Sequence, residues 1–515
     1  MALKPIYSRS PLVDAVALPL YPGQIRTAEE APAALYRLCG DSQDLFTWEA
    51  AFRLSALCCA SPLLETPAVK ILTAMEQQRD DGSLPLEPDE AAALVSAAWA
   101  VCSFSPDKAL AERLTAWCAW AGAHWSLLAE NEKLMRSPAA LMRTLTGLYR
   151  QTGLKGVAGL CRRLRESARD LSGYLSTYSN ASPEEDLIRL ADGAAMASVS
   201  GSFSGSRQEQ SAPAEGYERL CRQHGAPCGG LYTPGNGRNP YQSLEAGAQA
   251  AWTEVLCREL AGGNSLRCAP WAERLLVNAL PACLNQADAW ERFGVNGEGK
   301  GKADIAALNR LAAAWAAACE YAVTTLPDGA CIHLYLNGVY TLRLGNVPAQ
   351  ITLERKEGGA SLQLETASPV KAVLKLRLPA WMEGVTVNGK PVADRSEDRF
   401  LTINREWKTG DRVILHWQER VATESGWHQG LSVYQGPVLM AVAPETAEGK
   451  AVTDQPLLRD GQVLLPLIPV ADAVPGKRWT DLPVLPQVTG EAVLTPMQPF
   501  AQLDKRAAAF PGGRR

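Results

Sequence analysis

The chain has 515 residues with 47% hydrophobic and 21% charged residues, and its formal net charge is −4 at pH 7. This length predicts about two to four domains, and the composition is typical of a globular protein. Because no Lys/Arg cluster and no apolar run of about 18–20 residues stands out, we expect neither nucleic acid nor a membrane as a partner. The sequence does not decide whether the protein is a monomer or a homodimer.

The first residues and the cysteines indicate the compartment. Residues 1–23 contain no apolar core of signal-peptide type, so we expect a cytoplasmic protein. The chain has 13 Cys, an odd number, and none lies beyond Cys331 or in a Cys-x-x-Cys pair. We therefore expect reduced, buried thiols, with no metal and no cofactor held by them.

Helical periodicity dominates from about residue 28 to residue 335. Apolar residues recur at i, i+3 or i+4, and most of these stretches end near Gly, Asn or Ser; examples are 91–104, 110–130 and 305–325. About ten or more such helices in succession predict paired helices in a closed ring. The composition alone equally allows a helical solenoid, but no fixed-length repeat is present.

Two stretches depart from the helical pattern. The Ser/Gly/Gln-rich stretch 198–213 predicts a flexible surface loop. From Cys331 to about Ala443, apolar residues alternate with period two, which predicts strands. The following stretch is richer in Pro and less regular. We therefore predict domains at 1–335, 336–445 and 446–515, the last completing the β-rich region.

The most specific motif lies between Leu376 and Trp417. It reads Arg-Leu-Pro-Ala-Trp, then a Val-Asn-Gly turn, then Trp-Lys-x-Gly-Asp. This order resembles the β-sandwich of glycoside hydrolase family 127, the β-L-arabinofuranosidase-like proteins. Similar matches occur at 271–286, 319–338 and 430–444. The resemblance implies a multidomain α plus β fold, an (α/α)6 helical barrel followed by a β-sandwich, and the helix-then-strand order agrees with it.

The resemblance also implies a chemistry that this sequence mostly lacks. In the family, a Cys thiolate attacks the anomeric carbon, a Glu acts as acid/base, and a zinc held by Cys and Glu orients the thiol. Glu245 and Arg310 match the family motifs. The Cys and Asn positions carry other residues: Gly247, Ala303, Asp304 and Ala307. The acid/base loop, 224–240, has no carboxylate, with Asn236 or Gly229 at the expected place, and Asp192 stands at a family His.

A rebuilt site would need carboxylates, since two of them suffice for ordinary glycoside hydrolysis. Glu245, Asp304 and Asp81 are our candidate catalytic residues. Each also has a structural interpretation: Asp80-Asp81-Gly82 is a good turn, and Asp304 and Glu245 precede helices that a carboxylate would cap or complement.

The candidate substrate-binding residues are His224, Tyr232, Tyr241 and Arg310. Trp252 and Trp271 could also stack on a sugar, but aromatic side chains at helical spacing more often belong to a core. The resemblance implies a carbohydrate partner. The sequence leaves open a glycosidase with a rebuilt carboxylate site and a non-catalytic relative that binds a sugar or a protein. A weaker third option is another (α/α)-barrel activity, such as an uronyl hydrolase or a lyase, with Asp80 as acid/base.

Overall fold

The computed structural model describes most of the chain. The described residues are 16–17, 25–58, 61–177, 186–233, 239–262, 264–284, 290–298, 300–302, 304–356, 358–379, 381–392, 399–417, 420–426, 430–471, 478–481 and 484–514. None of the helices in these ranges is long and apolar enough to cross a bilayer.

The first two thirds of the described chain are mainly helical. The helices are α1 (Glu30–Cys39), α2 (Trp48–Cys58), α3 (Ser61–Glu76), α4 (Pro88–Phe104), α5 (Lys108–Ala123), α6 (Trp125–Ala129), α7 (Glu132–Arg136), α8 (Ala139–Thr152), α9 (Lys155–Ser167), α10 (Ser172–Thr177), α11 (Leu187–Ser204), α12 (Arg207–His224), α13 (Ala246–Arg258), α14 (Ser265–Arg274), α15 (Leu280–Cys283), α16 (Ile305–Ala322) and α17 (Pro444–Ala447). A π-helical turn, Leu275–Ala279, joins α14 to α15.

Six of these helices form a closed inner ring. Each packs on the next in the order α2, α4, α8, α11, α13 and α16, and α16 packs back on α2. Helices α1, α3, α5, α9, α12 and α14 pack against this ring from outside, so inner and outer helices alternate along the chain. The predicted closed ring is confirmed as an (α/α)6 barrel, and the solenoid alternative is excluded by the contact between α16 and α2.

Small residues let the inner helices approach each other closely. Most of α13 and α16 is buried, including Ala250, Ala314 and Ala317 at 0% exposure. Alanine has the highest helix propensity and no side-chain entropy to lose, so these stretches form helices readily and keep adjacent axes near.

The predicted loop at 198–213 is wrong, because the stretch is helical. Helix α11 ends before Gly205, whose φ of +81° suits a helix C-terminus, and the Ser206 hydroxyl accepts from the Glu209 amide to start α12. A Cβ at Gly201 would lie 2.8 Å from the Gln210 amide nitrogen. The small residues thus serve close packing of two helices, a contact that composition does not reveal.

The strands follow mainly after α16. They are β1 (Val16–Ala17), β2 (Ile25–Thr27), β3 (Ser243–Glu245), β4 (Trp290–Gly294), β5 (Asn296–Glu298), β6 (Lys300–Lys302), β7 (Val323–Leu326), β8 (Gly329–Ile332), β9 (Gly338–Leu344), β10 (Val347–Lys356), β11 (Gly359–Thr366), β12 (Val370–Arg377), β13 (Met382–Val387), β14 (Lys390–Pro391), β15 (Phe400–Trp407), β16 (Arg412–Trp417), β17 (Val421–Ser425), β18 (Gly430–Gln435), β19 (Val438–Ala441), β20 (Lys450–Ala451), β21 (Leu457–Arg459), β22 (Gln462–Pro469), β23 (Val493–Pro496), β24 (Gln498–Pro499), β25 (Lys505–Ala507) and β26 (Phe510–Pro511).

Two sheets form the β-sandwich after the barrel. One has the order β1-β7-β8-β12-β15 and the other the order β14-β13-β16-β11-β10-β9-β2. The alternating residues predicted to point inward are buried, for example Leu374 and Ile351 at 0% exposure. The predicted turn is also present, since Asn388 and Gly389 both have positive φ and join the paired strands β13 and β14.

The last part of the chain adds smaller sheets. Strands β17, β18, β19 and β24 form one with β26 beside β18, and β20, β21 and β23 pair with β22 in another. Strand β25 returns to pair with β5, close to the barrel. The Asn296 side chain accepts from the Ala508 and Ala509 amides at 3.0 Å, so the end of the described chain is tied to the barrel loops.

Candidate active site at the barrel mouth

Three inner helices begin side by side at one end of the barrel. A Cβ at Gly247, in the first turn of α13, would lie 3.5 Å from Ile188 Cδ1 of α11 and 3.8 Å from Ala307 Cβ of α16. The three first turns therefore meet, and the helices run in the same direction. We call this end, with Glu245 and Asp304 that precede α13 and α16, the mouth.

Glu245 is held at the mouth by its backbone. It ends strand β3, opposite the exposed Arg292 of β4, and occupies the N-cap position of α13. The buried Gln249, one turn later, donates to the carbonyl oxygens of Glu245 at 3.1 Å and Leu231 at 3.0 Å, and accepts from the Leu231 amide at 2.7 Å. These contacts hold the backbone of Glu245 at the mouth, and its side chain is half-buried.

Asp304 performs the structural role that the sequence suggested. It is exposed, and its carboxylate accepts from the Ala307 amide at 2.7 Å, which caps α16. Because α13 and α16 are neighbours with adjacent first turns, Glu245 and Asp304 open two adjacent inner helices. The structure brings these two candidate carboxylates to the same end of the barrel, and their catalytic use stays a prediction.

Arg310 lies one turn inside the barrel and is bound to Asp192 of α11. The guanidinium donates through Nη1 and Nη2 to the two carboxylate oxygens at 3.0 and 2.9 Å. Burial opposes the charge of Arg310, but the Asp192 carboxylate outweighs it and raises the pKa of Arg310. Contact of Arg310 with a substrate stays a prediction, and any such contact shares the guanidinium with Asp192.

Further paired charges line the interior of the barrel. Glu254 of α13 accepts from Arg258 at 2.9 Å and from Arg143 of α8 at 3.2 Å. Burial raises the pKa of Glu254, but the two arginines outweigh it and lower that pKa to about 2. The carboxylate is therefore ionised at neutral pH and satisfied inside the protein.

The same pattern continues on the neighbouring inner helices. Arg53 of α2 donates to Glu49 at 3.0 Å and to Glu320 of α16 at 2.9 Å, and its side chain is 19% exposed. We call the set Glu49, Arg53, Arg143, Glu254, Arg258 and Glu320 the axis network. Its members come from four inner helices, so it ties the ring together.

Asp81 lies on the outer layer of the barrel. It is exposed in a turn with Gly82, whose φ is +86°, and its carboxylate accepts from the Ser83 amide at 2.9 Å. The hydrogen bonds from Ser83 lower the pKa of Asp81. A Cβ at Gly82 would lie 2.5 Å from the Ala116 carbonyl oxygen, so this turn packs on the outer helix α5. Glu245 and Asp304, in contrast, open inner helices.

The aromatic and His candidates differ in exposure. His224 is 4% and Tyr232 1% exposed, and the Tyr232 amide donates to the His224 carbonyl oxygen at 2.7 Å. Tyr241 is half-buried, its ring lies 4.8 Å from the Arg478 guanidinium, and burial raises its pKa. Tyr241 is thus the most accessible of the three to a ligand.

The two tryptophans near this region contact the buried Tyr217. The ring centroids of Trp252 and Trp271 lie 5.1 and 5.8 Å from that of Tyr217. Trp252 is fully buried and Trp271 is partly buried against the main core. This arrangement supports core packing as the role of Trp252.

At the described positions where the family resemblance places Cys, this chain has Gly247 and Asp304, which carry no thiol. Gly247 has no side chain, Ala307 has only a methyl group, and the Asp304 carboxylate is used as a helix cap. Ala303 and Asn236 lie outside the described residues. Within the described part of the chain, no group of three or more His, Cys, Asp and Glu side chains is arranged to hold a metal ion.

The axis network and Gln249 were not predicted as functional residues. The network does leave a signal in the sequence, because Glu49–Arg53 and Glu254–Arg258 are acid–base pairs at i, i+4 within otherwise apolar helices. Gln249 leaves none, since its partners in the 224–233 loop are known only from the fold.

Comparison with known proteins finds a match of one stretch to the family that the sequence motifs resemble. Residues 329–418 match the model of the middle domain of the GH127 β-L-arabinofuranosidases. No curated protein sequence shows a significant match.

Solved structures match the fold over almost the whole chain. A protein described as a glycoside hydrolase has 14% identity and a TM-score of 0.77, and the match covers 98% of this chain and 99% of that one. A GH127 β-L-arabinofuranosidase from Geobacillus stearothermophilus T6 has 16% identity, a TM-score of 0.69 and 94% coverage of each chain. A further GH127 β-arabinofuranosidase has 14% identity, a TM-score of 0.68 and 98% coverage of each chain.

Proposed function

We propose that this chain, which belongs to glycoside hydrolase family 127 by its middle domain and its fold, acts on or binds a β-L-arabinofuranoside-like carbohydrate at the barrel mouth. It does so without the thiolate zinc site of the family. The observation that carries the proposal is Glu245, fixed at the start of α13 beside the small residues Gly247 and Ala307.

The mouth has groups suited to a sugar. Carboxylates are strong acceptors for sugar hydroxyl groups, and Glu245 and Asp304 both lie at helix starts that open there. Gly247 and Ala307 carry no side chain larger than a methyl group where α13 meets α16, and Ile188 of α11 lies beside Gly247. The half-buried Tyr241 offers an aromatic ring near strand β3.

Hydrolysis would use the two carboxylates in the ordinary way. One carboxylic acid protonates the leaving oxygen, while the other carboxylate attacks the anomeric carbon or activates water. Glu245 and Asp304 are the pair that the fold brings to one end of the barrel. Neither a thiol nor a metal takes part in this scheme.

A non-catalytic role, binding a sugar or a protein, is the second candidate function. It is favoured by the hydrogen bond that already commits the Asp304 carboxylate to the start of α16. In that case Glu245 binds the ligand but no partner carboxylate completes the chemistry.

The test is a hydrolysis screen with p-nitrophenyl furanosides and pyranosides, including the β-L-arabinofuranoside, on the wild type and Glu245→Gln. Glu112→Gln, on the exposed face of outer helix α5, is the control. We expect turnover that is lost in Glu245→Gln and kept in the control. Asp81→Asn tests the remaining catalytic prediction.

Absence of turnover is followed by a binding titration with the same glycosides. Binding that is lost in Glu245→Gln would assign the non-catalytic role. Neither turnover nor binding, or equal behaviour of wild type and Glu245→Gln, would refute the proposed site.

A further inference from the structure

A cavity open to solvent lies in the β-rich region, where the seven-stranded sheet meets the sheet that begins with β17. It has a volume of about 420 Å³ and is lined by Trp381, Met382, Glu383 and Arg420. This volume falls within the range of roughly 300–1,000 Å³ that is typical of small-molecule sites, which often occur where two structural units meet.

The aromatic wall of this cavity is held in place. Trp381 is partly exposed, and its ring contacts Trp417 edge to face, with centroids 4.9 Å apart and an angle of 89°. Trp417 is itself 8% exposed and belongs to the main core. The contact with Trp417 holds the indole of Trp381 in place at the edge of this cavity, whose lining is mainly polar.

An irregularity in strand β13 places a carboxylate beside this indole. The register between β13 and β16 shifts between Met382 and Gly384, so Glu383 is the extra residue of a β-bulge. Such bulges redirect one side chain and occur often next to functional sites. The Glu383 carboxylate accepts from Arg420 Nη2 at 3.2 Å.

The Glu383–Arg420 pair contributes little to stability. The side chains are 32% and 72% exposed, and ion pairs this exposed to water are weak. The register shift and the residue before β17 thus place an acceptor, Glu383, and a donor, Arg420, at the same cavity as Trp381. The pair carries no net charge, so the lining favours neither an anionic nor a cationic ligand.

The residues that line this cavity differ from those at the barrel mouth. Strand β13 lies five positions across its sheet from β2, the strand that packs on the inner helix α2. At about 4.8 Å per strand, β13 lies roughly 24 Å from β2 along the sheet.

We propose that this cavity is a second carbohydrate-binding site, which takes a neutral saccharide. The apolar face of one sugar ring lies on the indole of Trp381. Its hydroxyl groups donate to the Glu383 carboxylate and accept from the Arg420 guanidinium. A site of this kind holds a polysaccharide chain independently of any reaction at the mouth.

The test is native gel electrophoresis with and without soluble neutral polysaccharides in the gel: arabinan, arabinogalactan, xylan and mixed-linkage β-glucan. The variants are Trp381→Ala, Glu383→Gln and Arg420→Met, each compared with its own mobility in the empty gel. Trp125→Ala, at another partly buried Trp on the barrel surface, is the matched control. We expect one polysaccharide to retard the wild type and the control, with about fivefold to tenfold weaker binding in the three variants.

Two results would overturn the proposal: a wild type that no polysaccharide retards, or Glu383→Gln and Arg420→Met variants retarded as strongly as the wild type. These two exposed positions decide the question even where Trp381→Ala fails to fold. Glu245→Gln keeps its retardation if the sites are separate, which distinguishes this test from that of the mouth.

Discussion

The axis network and the mouth belong to the same barrel, but their carboxylates have different surroundings. In the axis network, Glu254 is 16% exposed and lies between two arginines, so its negative charge is paired with their positive charges inside the protein. At the mouth, Glu245 and Asp304 sit at helix starts beside small residues. Acidic residues inside an (α/α)6 barrel are thus not evidence of catalysis by themselves. Their pairing and exposure decide which of them are available to a ligand.

The largest effect is expected from breaking the axis network. Glu254→Gln leaves Arg143 and Arg258 without their shared carboxylate, and an unpaired buried charge costs about 3–5 kcal/mol. We expect the free energy of unfolding in urea to fall by that amount. Glu112→Gln, which breaks the exposed i, i+4 pair with Lys108, is the control and should leave it unchanged. Equal stability of the two variants would show that the axis network is not structural.

The pH dependence of stability tests whether the Glu254 carboxylate is ionised and paired in the folded protein. The pKa of Glu254 is lowered from 4.5 to about 2 in the folded protein. Its contribution is therefore complete above about pH 4.5 and is lost as the pH falls through about 2. We expect the stability gap between wild type and Glu254→Gln to be constant from pH 7 to pH 5 and to shrink at lower pH. A gap that shrinks instead as the pH rises above 5 would contradict this assignment.

A smaller effect is expected at Asp304, where two substitutions separate the loss of the helix cap from the loss of the carboxylate charge. Asp304→Ala removes the cap of α16 and should lower the free energy of unfolding by about 1 kcal/mol. Asp304→Asn keeps a good cap and removes the charge, so its stability should match the wild type. Loss of turnover in Asp304→Asn would support a catalytic carboxylate. Unchanged turnover would restrict Asp304 to capping.

The smallest effect is expected from the thiols. Apart from Cys58, the cysteines in the described part of the chain are buried, and burial raises the pKa of Cys228 to about 11 and of Cys118 to about 12. Thiols held protonated inside the protein react slowly. Iodoacetamide at pH 8 should leave sugar binding or turnover unchanged in the native protein. Rapid loss of function on alkylation would instead indicate a thiol at the site.

Local patterns in the sequence predicted much of the fold. Helical periodicity predicted the succession of helices, and the lack of a fixed-length repeat together with the family resemblance favoured a closed ring over a solenoid. The Asn388-Gly389 turn was located correctly because Asn and Gly favour the positive φ angles that the turn needs. The stretch 198–213 was assigned wrongly because its small residues serve a contact between two helices. The cap at Asp304 was foreseeable from its position. The pairing of Arg310 with Asp192 and of Arg53 with Glu320 depends on partners that are brought together only by barrel closure.

The most direct test of a mouth without a thiolate metal site is its zinc content. The wild type and Glu245→Gln are incubated with equimolar zinc, desalted, and analysed for metal by mass spectrometry alongside the glycoside assays. We expect far less than stoichiometric zinc in both proteins, with sugar binding or turnover lost only in Glu245→Gln. Stoichiometric zinc in the wild type that disappears in Glu245→Gln would contradict it.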